Sequence, residues 1–582
     1  MGSVLIAVVS FVGFLVAYHT YGRYLARKIF RLNPEEPTPA HTMTDGVDYV
    51  PARRAVLFGH HYTSIAGTGP IVGPAIGIIW GWLPALLWIV LGSIFMGAVH
   101  DFGALVVSAR NQGKSIGELT GNIINPRVKV LLLLVIFFSL LIVIAIFALV
   151  IAVLFTMFAE VVLPVWLEIP IAIGFGYALV RWPKRAALLS IGAVVLMYLT
   201  VVLGASVPIE IPKDLGVHPF TIWAVVLLIY AYVASVLPVQ RLLQPRDYIN
   251  FWQLVIALAL LVAGLLVSRP QLVAPVVDLH PKGAPPIYPF LFITIACGAI
   301  SGFHSLVGSG TSSKQLDRET DAQVIGYGGM LMEGVLAVMV LLAVAAGLGL
   351  GLRANGSLLT GHEAWQHLYQ SWLGNAGLGD KLRGFVEGGS NMIEGLGIPE
   401  RVALTLIGVF ICSFAGTTLD TATRLQRYII AELAGTFKVR PLTNRYAATA
   451  VAVITAGALC LLPGLFSKSY AGGKGGMILW PIFGTTNQLL AGLALMVLTV
   501  YLLRRKTNYV ITLVPMLFML IMTGTALAMN LQSFWGDPSK IHLFIISSII
   551  AGLEVWMIVE AAIFVRTHLK GGTSDVPIPG MK

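Results

Sequence analysis

The sequence of 582 residues is poor in charged side chains and in cysteine. Charged residues make up 11% of it, against about 25% in ordinary soluble domains. Hydrophobic residues make up 57%, and the mean hydropathy is +0.85. This balance excludes an ordinary soluble domain and predicts an all-α polytopic membrane protein.

The three cysteines, Cys297, Cys412 and Cys460, lie within apolar segments and have no CxxC spacing. Their placement argues against a disulfide framework, a structural zinc site and c-type haem attachment. The net charge of +11 does not indicate nucleic-acid binding, because lysines and arginines cluster between apolar segments. The predicted partners are membrane lipid and a small-molecule substrate, not nucleic acid, and the sequence does not indicate an oligomeric state.

About fifteen segments have the length of roughly 17–25 apolar residues that spans a bilayer. The first lacks the basic start and cleavage site of a signal peptide and is interpreted as a retained span. Every second loop is basic, which predicts an external N-terminus and a cytoplasmic C-terminus. The predicted spans are 3–25, 54–77, 82–108, 128–158, 166–182, 185–207, 220–240, 249–268, 286–309, 322–352, 402–424, 446–463, 477–502, 509–531 and 541–566.

The second predicted span is interrupted by the stretch GHHYTSIAGTGPIVGP, residues 59–74. Glycine frees the backbone, and proline removes a donor and clashes with the preceding helical turn. In lipid, unpaired backbone is tolerated only where protein or a water-filled cavity satisfies it. The interrupted helix, which carries His61, Ser64 and Thr68, is therefore predicted to form part of a binding site.

A similar pattern lies in the ninth span. SIAGTG at residues 64–69 matches SLVGSG at 305–310, and a histidine precedes the serine in both. The two spans run in opposite directions, as in inverted-repeat transporters, whose discontinuous helices meet around the substrate. Exposed N–H groups at such breaks suit a carboxylate. The predicted substrate-binding residues are His61, Ser64, Gly67, Thr68, Gly69, His304, Ser305, Gly308, Ser309 and Gly310.

This repeat predicts four parts of the chain. Residues 1–30 form a peripheral helix, and residues 509–566 form a C-terminal helix pair. Residues 48–268 and 286–502 form the two inverted halves, the second with an external loop at 353–401.

Ionisable residues in spans cost on the order of 2.5–3.5 kcal/mol on insertion scales and are functional hypotheses by default. A satisfied interhelical hydrogen bond explains each of them equally well. His100, Asp101 and Glu333 are predicted to carry a coupling proton, because burial disfavours a charged carboxylate and histidine titrates near neutrality.

Other polar residues in or near spans allow two interpretations. Asp420 contributes to an ion site or pairs with Arg424 one helical turn away. Asn487 and Gln488 line the cavity or join two helices, and joining is slightly favoured. Residues 244–248 are interpreted as a cytoplasmic turn with an architectural Arg–Asp pair.

Four longer stretches resemble the carbon starvation protein A (CstA) family, and the resemblance covers about residues 48–502. It implies a cytoplasmic-membrane secondary transporter of peptides or of pyruvate, with pyruvate transport coupled to protons. It also implies a LeuT-type fold whose first and sixth core helices are broken. In that fold a sodium site often lies between the first and eighth core helices, where Ala415 and Thr418 have the matching spacing, so both H⁺ and Na⁺ stay open as coupling ions. The stretches are DYVPARRAVLFGHHYTSIAGTGPIVGPAIG, GAVHDFGALVVSARNQGKSIGEL, SGFHSLVGSGTSSKQL and LWPIFGTTNQLLAGLAL.

The alternative is a membrane redox or metal-binding protein. Converging helices would let His60, His61, His100, Asp101 and His304 ligate haem or a metal. Each histidine also has a transport or packing explanation, and neighbouring residues such as His60 and His61 point in different directions on a helix. The sequence therefore favours a transporter, not an enzyme, with no bound metal or cofactor. It is expected to import a small carboxylated solute, pyruvate ahead of short peptides, by alternating access.

Overall fold

The computed structural model describes residues 2–570 except 47, 124, 238–241, 355, 374–376, 467–471 and 474. Within that part of the chain, 13 helices are long and apolar enough to cross a membrane, and one bent helix pair forms a fourteenth crossing. The interrupted segment from residue 287 to 315 occupies the place of the ninth predicted span. Each of the fifteen predicted spans therefore corresponds to a helical segment, and the all-α polytopic class is confirmed.

Helices are numbered in chain order. In the first part of the chain, π-helical turns extend α1 and join α5 to α6. The helices are α1 Ser3–Ala17, α2 Pro39–Thr42, α3 Arg54–Ile65, α4 Gly69–Gly77, α5 Trp82–Gly92, α6 Ala98–Arg110, α7 Ile116–Ile123, α8 Pro126–Met157, α9 Val162–Arg181, α10 Ala186–Ser206, α11 Pro219–Val236 and α12 Leu243–Ser268.

The second part of the chain contains a short β-hairpin as well as helices. Strands β1 and β2 pair antiparallel, with Leu352 opposite Leu359. The elements are α13 Ile287–Thr294, α14 Gly302–Val307, α15 Ser313–Gln315, α16 Gly329–Ala345, β1 Leu352–Ala354, β2 Ser357–Leu359, α17 Gly361–Tyr369, α18 Leu378–Glu394, α19 Glu400–Thr436, α20 Arg445–Phe466, α21 Gly476–Arg504, α22 Val510–Phe534 and α23 Ile541–Lys570.

The first break separates α3 from α4, which are bent by 45°. Helix α3 ends at Ile65, and Ala66 leaves the helical region with φ −76° and ψ 56°. Pro70 lies in the first turn of α4, where a backbone N–H would have no acceptor within the helix, so the absence of this group in proline costs no helical hydrogen bond. A side chain on Gly67 would overlap the hydroxyl of Thr418. The glycine therefore allows the break to lie directly against α19, and the prediction of a break here is confirmed.

The second break lies earlier in the chain than the sequence motif predicts. Helix α13 ends at Thr294 and α14 begins at Gly302, so residues 295–301 form the break. Gly298 there has φ +74°, a conformation that favours glycine. The prediction that Gly308–Gly310 forms the break is wrong. At that point the chain continues through a π-helical turn, Gly308–Ser312, whose i→i+5 hydrogen bonds keep the backbone paired.

Residues 353–401, predicted as an external loop, fold into a cap built on two helices. The 17-residue helix α18 contacts α4, α12, α16 and α19, and Phe385 and Val386 on it are buried. The hydroxyl of Tyr369, at the end of α17, donates a hydrogen bond of 2.6 Å to the Ala75 carbonyl in α4. The cap is thereby attached to the second half of the first interrupted helix.

Candidate functional site

The two breaks are in direct contact. A methyl group placed on Gly298 in the second break would come within 3.5 Å of the Pro70 Cα at the start of α4. One placed on Gly69 would overlap Cys297. The structure therefore brings together the two interrupted helices, as the sequence predicts, although with a different segment of the second one.

A small cavity lies between the breaks. Its volume is about 10 Å³, which is room for roughly one water molecule. The hydroxyls of Thr68 and Thr418 are buried nearby without a hydrogen-bond partner. The protein is therefore closed around the breaks, and two hydroxyl groups without partners lie beside the cavity. The cavity is lined by Ile65, Gly67, Gly69, Val143, Phe147, Cys297, Phe303, Thr418, Phe483 and Asn487.

Four buried ionisable side chains form a continuous cluster beside the breaks, which we call the His–carboxylate cluster: His100, Asp101, His304 and Glu333. The Nδ1 atoms of His100 and His304 each lie 2.7 Å from a different oxygen of Asp101. The Nε2 atom of His304 lies 3.1 Å from Glu333 Oε2. All four side chains are at most 1% exposed. Three predicted coupling residues and one predicted substrate residue thus form a single unit.

The proton content of this cluster follows from its contacts. An imidazole nitrogen bonds a carboxylate oxygen only if one proton lies between them. His304 Nδ1 shares a proton with Asp101. Its Nε2 faces Glu333 Oε2 at 3.1 Å without hydrogen-bond alignment, and this contact is attractive only if the ring is doubly protonated or Glu333 holds a proton. Loss of one proton sets two lone pairs against each other, which is costly without water. The geometry of the cluster therefore depends on its proton content.

The cluster also contacts both breaks. The Gly298 N–H donates to Glu333 Oε1 at 3.2 Å, and the Gly298 carbonyl accepts from the Ser93 hydroxyl at 2.8 Å. His304 also lies beside the backbone of Ile65 at the end of α3. A change of position of Glu333 or His304 would therefore act directly on the segment that interrupts each helix.

His61 lies next to the cluster but outside it. Its Nδ1 lies 2.7 Å from the Ser312 hydroxyl, and its Nε2 is buried without a partner. The ring packs against Gly329, one turn before Glu333 on α16. His61 therefore lies beside the cluster, and its role in substrate binding stays a prediction.

The serines of the second motif have local partners. The Ser305 hydroxyl donates to the Gly302 carbonyl at 2.7 Å, and the Ser309 hydroxyl donates to the Ser305 carbonyl at 2.6 Å. Ser309 also accepts a hydrogen bond of 3.0 Å from the Ile116 N–H. Ser305 therefore lies in α14, and Gly308 and Ser309 lie in the π-helical turn after it, not in the second break at residues 295–301.

A larger cavity of about 350 Å³, which we call the inner cavity, lies on the side predicted to be cytoplasmic. Ser64 and Gly310 line it, so these two predicted residues of the repeat face a common space. The full lining comprises Asp48, Tyr49, His60, Ser64, Gly113, Ser115, Gly117, Glu118, Ile136, Leu140, Leu306, Gly310, Thr311, Lys314, Gln315, Thr421, Arg424, Leu425, Tyr428, Ile429 and Glu432.

Comparison with known proteins identifies the family. The sequence matches the family described as "Carbon starvation protein CstA" over residues 2–364 and 370–526. The chain belongs to this family. The match covers the breaks, the His–carboxylate cluster and the inner cavity.

The curated relatives are named as transporters. The pyruvate/proton symporter BtsT of Escherichia coli is 34% identical, over 91% of this chain and 81% of its own. The peptide transporter CstA of the same organism is 34% identical, over 90% and 80%. The CstA of Bacillus subtilis is 30% identical, over 98% and 97%. These names confirm the prediction of a membrane transporter rather than an enzyme.

Among solved structures, the CstA-family chain is similar to a manganese transporter of Eremococcus coleocola. The identity is 13%, the match covers 90% of this chain and 99% of the other, and the TM-score is 0.49. In the described part of the present chain, no three His, Cys, Asp or Glu side chains are arranged to hold a metal ion. The imidazoles of His100 and His304 each contact a carboxylate oxygen of Asp101.

A second buried charge cluster in this CstA-family protein corrects the interpretation of Asp420. Asp420 accepts hydrogen bonds from Arg246 at 2.6 Å and from the Tyr230 hydroxyl at 2.7 Å. Arg424 donates to backbone carbonyls instead. The predicted Asp420–Arg424 pair is therefore wrong, because Arg246 reaches Asp420 from α12.

Sequence reasoning missed two members of this second cluster, Glu168 and Tyr230. Glu168 accepts from Arg246 Nε at 2.6 Å and from the Ser413 hydroxyl at 2.6 Å. A glutamate within the apolar span 166–182 is a signal that the rule for intramembrane ionisable residues would have found. Residues 245–248, interpreted as part of a turn, belong to α12, and this start of the helix places Arg246 between α9 and α19.

Asn487 and Gln488 join α21 to the second interrupted helix. Asn487 Nδ2 donates to the Ser301 hydroxyl at 3.0 Å, and its Oδ1 accepts from the Phe303 N–H at 3.0 Å. Gln488 Nε2 donates to the Phe292 carbonyl at 2.7 Å. The joining role, slightly favoured from the sequence, describes both residues. Only Asn487 also lines the cavity between the breaks.

Proposed function

We propose that this protein is a proton-coupled importer of a small monocarboxylate, pyruvate first and short peptides second. It would lie in the inner membrane with its N-terminus outside and its C-terminus inside. Relatives named for pyruvate/proton symport and for peptide transport support this choice of substrates. The observation that carries the proposal is His304, held between Asp101 and Glu333 in a buried cluster that contacts both breaks.

The substrate carboxylate would bind at the start of α4. This nine-residue helix begins at the first break, so its positive end faces the second break. The Ile71 and Val72 N–H groups already donate to the Thr68 carbonyl, so the dipole and the nearby hydroxyls would hold the carboxylate. The buried hydroxyls of Thr68 and Thr418 lack partners and can donate to a carboxylate there. The walls must separate before the substrate enters, because the cavity between the breaks holds about 10 Å³.

The coupling proton would be carried by the His–carboxylate cluster. When the cluster holds its full set of protons, Glu333 forms an ion pair with His304 and accepts a hydrogen bond from the Gly298 N–H, and the breaks stay together. When one proton leaves, the contact between His304 and a carboxylate becomes repulsive. The second break is then released from α16, and the helix halves move. Proton release and opening would thereby be linked.

Sodium is the second candidate for the coupling ion. The unpartnered Thr418 hydroxyl lies against Gly67 in the first break, as the predicted sodium site between these helices requires. The nearby carboxylate of Asp420, however, binds Arg246 and Tyr230. Asp420 is therefore already paired, whereas the His–carboxylate cluster offers groups that exchange protons.

Uptake of labelled pyruvate into vesicles tests the proposal. Wild-type protein should accumulate pyruvate under an inward proton gradient, lose this accumulation with a protonophore, and show no response to a sodium gradient. In Glu333→Gln, pyruvate counterflow should persist, whereas proton-driven accumulation should be lost, because an amide keeps the shape but does not exchange a proton.

The matched control is Glu554→Gln. This buried glutamate of the C-terminal helix pair accepts from Thr523 at 3.0 Å, away from the breaks, and its variant should accumulate pyruvate normally. Wild-type vesicles that take up no pyruvate under either gradient would refute the substrate. Proton-driven accumulation in Glu333→Gln at the wild-type level would refute the role of the cluster.

A further inference from the structure

The buried wall of the inner cavity carries a positive charge that the proposed mechanism does not use. Arg424 on α19 lines this cavity and is 8% exposed. Its Nη2 donates to the carbonyls of Ala234 at 3.0 Å and Leu237 at 2.7 Å, at the end of α11. Its Nε is buried without a hydrogen-bond partner. One edge of the guanidinium is thus bound to protein, and a donor is left free.

Two buried hydroxyls line the same cavity. Thr421 precedes Arg424 by three residues on α19, so both lie on one face of that helix. Ser64 reaches the cavity from α3 and is the last polar residue before the first break. Ser64 and Thr421 are 2% and 7% exposed. The wall between the first break and Arg424 therefore offers hydroxyl donors beside a guanidinium.

The acidic residues of the inner cavity do not neutralise Arg424. Asp48 and Glu118 are exposed, where water screens their charge. Glu432 pairs with Lys129 at 2.7 Å. The buried part of the cavity is therefore positive, whereas the acidic groups are exposed or paired with another cation.

We infer that Arg424, with the hydroxyls of Ser64 and Thr421, forms a carboxylate-binding subsite that holds the substrate after it leaves the breaks. The ligand class is a small monocarboxylate such as a 2-oxo acid, and this step rests on the proposed function. A guanidinium edge binds a carboxylate more strongly than a single neutral donor does. The subsite lies on the way from the breaks to the predicted cytoplasmic side.

Inside-out vesicles expose this cavity, so the KM for pyruvate exchange is measured from that face. Arg424→Gln should raise this KM roughly 10- to 100-fold, the range expected for losing a charged hydrogen bond, with kcat little changed. Inhibition by pyruvamide, which has no carboxylate, should change less than twofold. Arg424→Lys and Thr421→Val should raise the KM for pyruvate by smaller factors. These two variants test the subsite if Arg424→Gln is not inserted into the membrane.

Arg427→Gln is the matched control. Arg427 is also 8% exposed and donates to the Ser235 carbonyl at 2.6 Å, so it holds the same end of α11, but it does not line the inner cavity. Arg427→Gln should therefore have a KM for pyruvate within twofold of the wild-type value. A wild-type KM in Arg424→Gln, or equal shifts in both variants, would overturn the subsite. Wild-type protein that does not exchange pyruvate would instead refute the proposed function.

Discussion

Removal of the Arg246 guanidinium should cost a large part of the stability of the helix bundle. Arg246 is 2% exposed. Its Nε donates to Glu168 at 2.6 Å, and its Nη1 donates to Asp420 at 2.6 Å and to the Tyr230 hydroxyl at 2.8 Å. Arg246→Gln leaves two buried carboxylates without their cation. Removing one partner of a buried pair costs about 3–5 kcal/mol, and the upper end is expected because this guanidinium serves two carboxylates.

Thermal unfolding of the purified protein in detergent measures this cost. Arg246→Gln should unfold several degrees below the wild type. The triple variant Arg246→Met, Glu168→Gln, Asp420→Asn should recover most of the loss, because it leaves no buried charge unpaired.

Arg353→Gln is the control for this prediction. Arg353 pairs with Glu400 at 2.8 Å on the surface, and its variant should unfold like the wild type. Wild-type unfolding of Arg246→Gln would refute the reasoning. So would a triple variant less stable than Arg246→Gln, because the cost would then not come from unpaired charge.

Two further predictions concern the second break and the cap. Gly298→Ala should abolish pyruvate uptake, because φ of Gly298 is +74° and the new methyl group would lie 2.9 Å from the Ala337 methyl group. The control is Gly216→Ala, which should keep uptake, because Gly216 has φ +72° but no atom within 4 Å of the new methyl group. Equal uptake by the two variants would contradict the role of the break. Burial lowers the pKa of Lys381 to about 7 from 10.5. The unfolded lysine keeps its proton to higher pH, so the stability of the cap should rise above about pH 7, by at most ~1.4 kcal/mol per pH unit. The free energy of opening of α18, measured by amide hydrogen exchange, should rise with pH in the wild type and should not do so in Lys381→Met. A wild-type opening free energy that does not change with pH would contradict this prediction.

The two breaks differ in how far local sequence predicts them. Around Gly67 and Pro70, the glycines and the proline oppose helix locally, so the first break follows from composition. Gly308–Gly310 has a similar pattern, yet the chain there stays paired through a π-helical turn. The second break forms at Gly298, where the backbone bonds Glu333 and Ser93 from other helices. Such contacts leave no local mark in the sequence.

The sequence by itself determined the membrane class, the places of the spans and the residue types at the site. Lipid demands long apolar helices, and each charge within them stands out against that background. Only the tertiary structure decided which of those charges meet. Asp101 and His304 lie 203 residues apart yet are in contact, and Asp420 binds Arg246 from α12 rather than its neighbour Arg424. Pairing depends on how the helices pack, which hydropathy and local spacing do not encode.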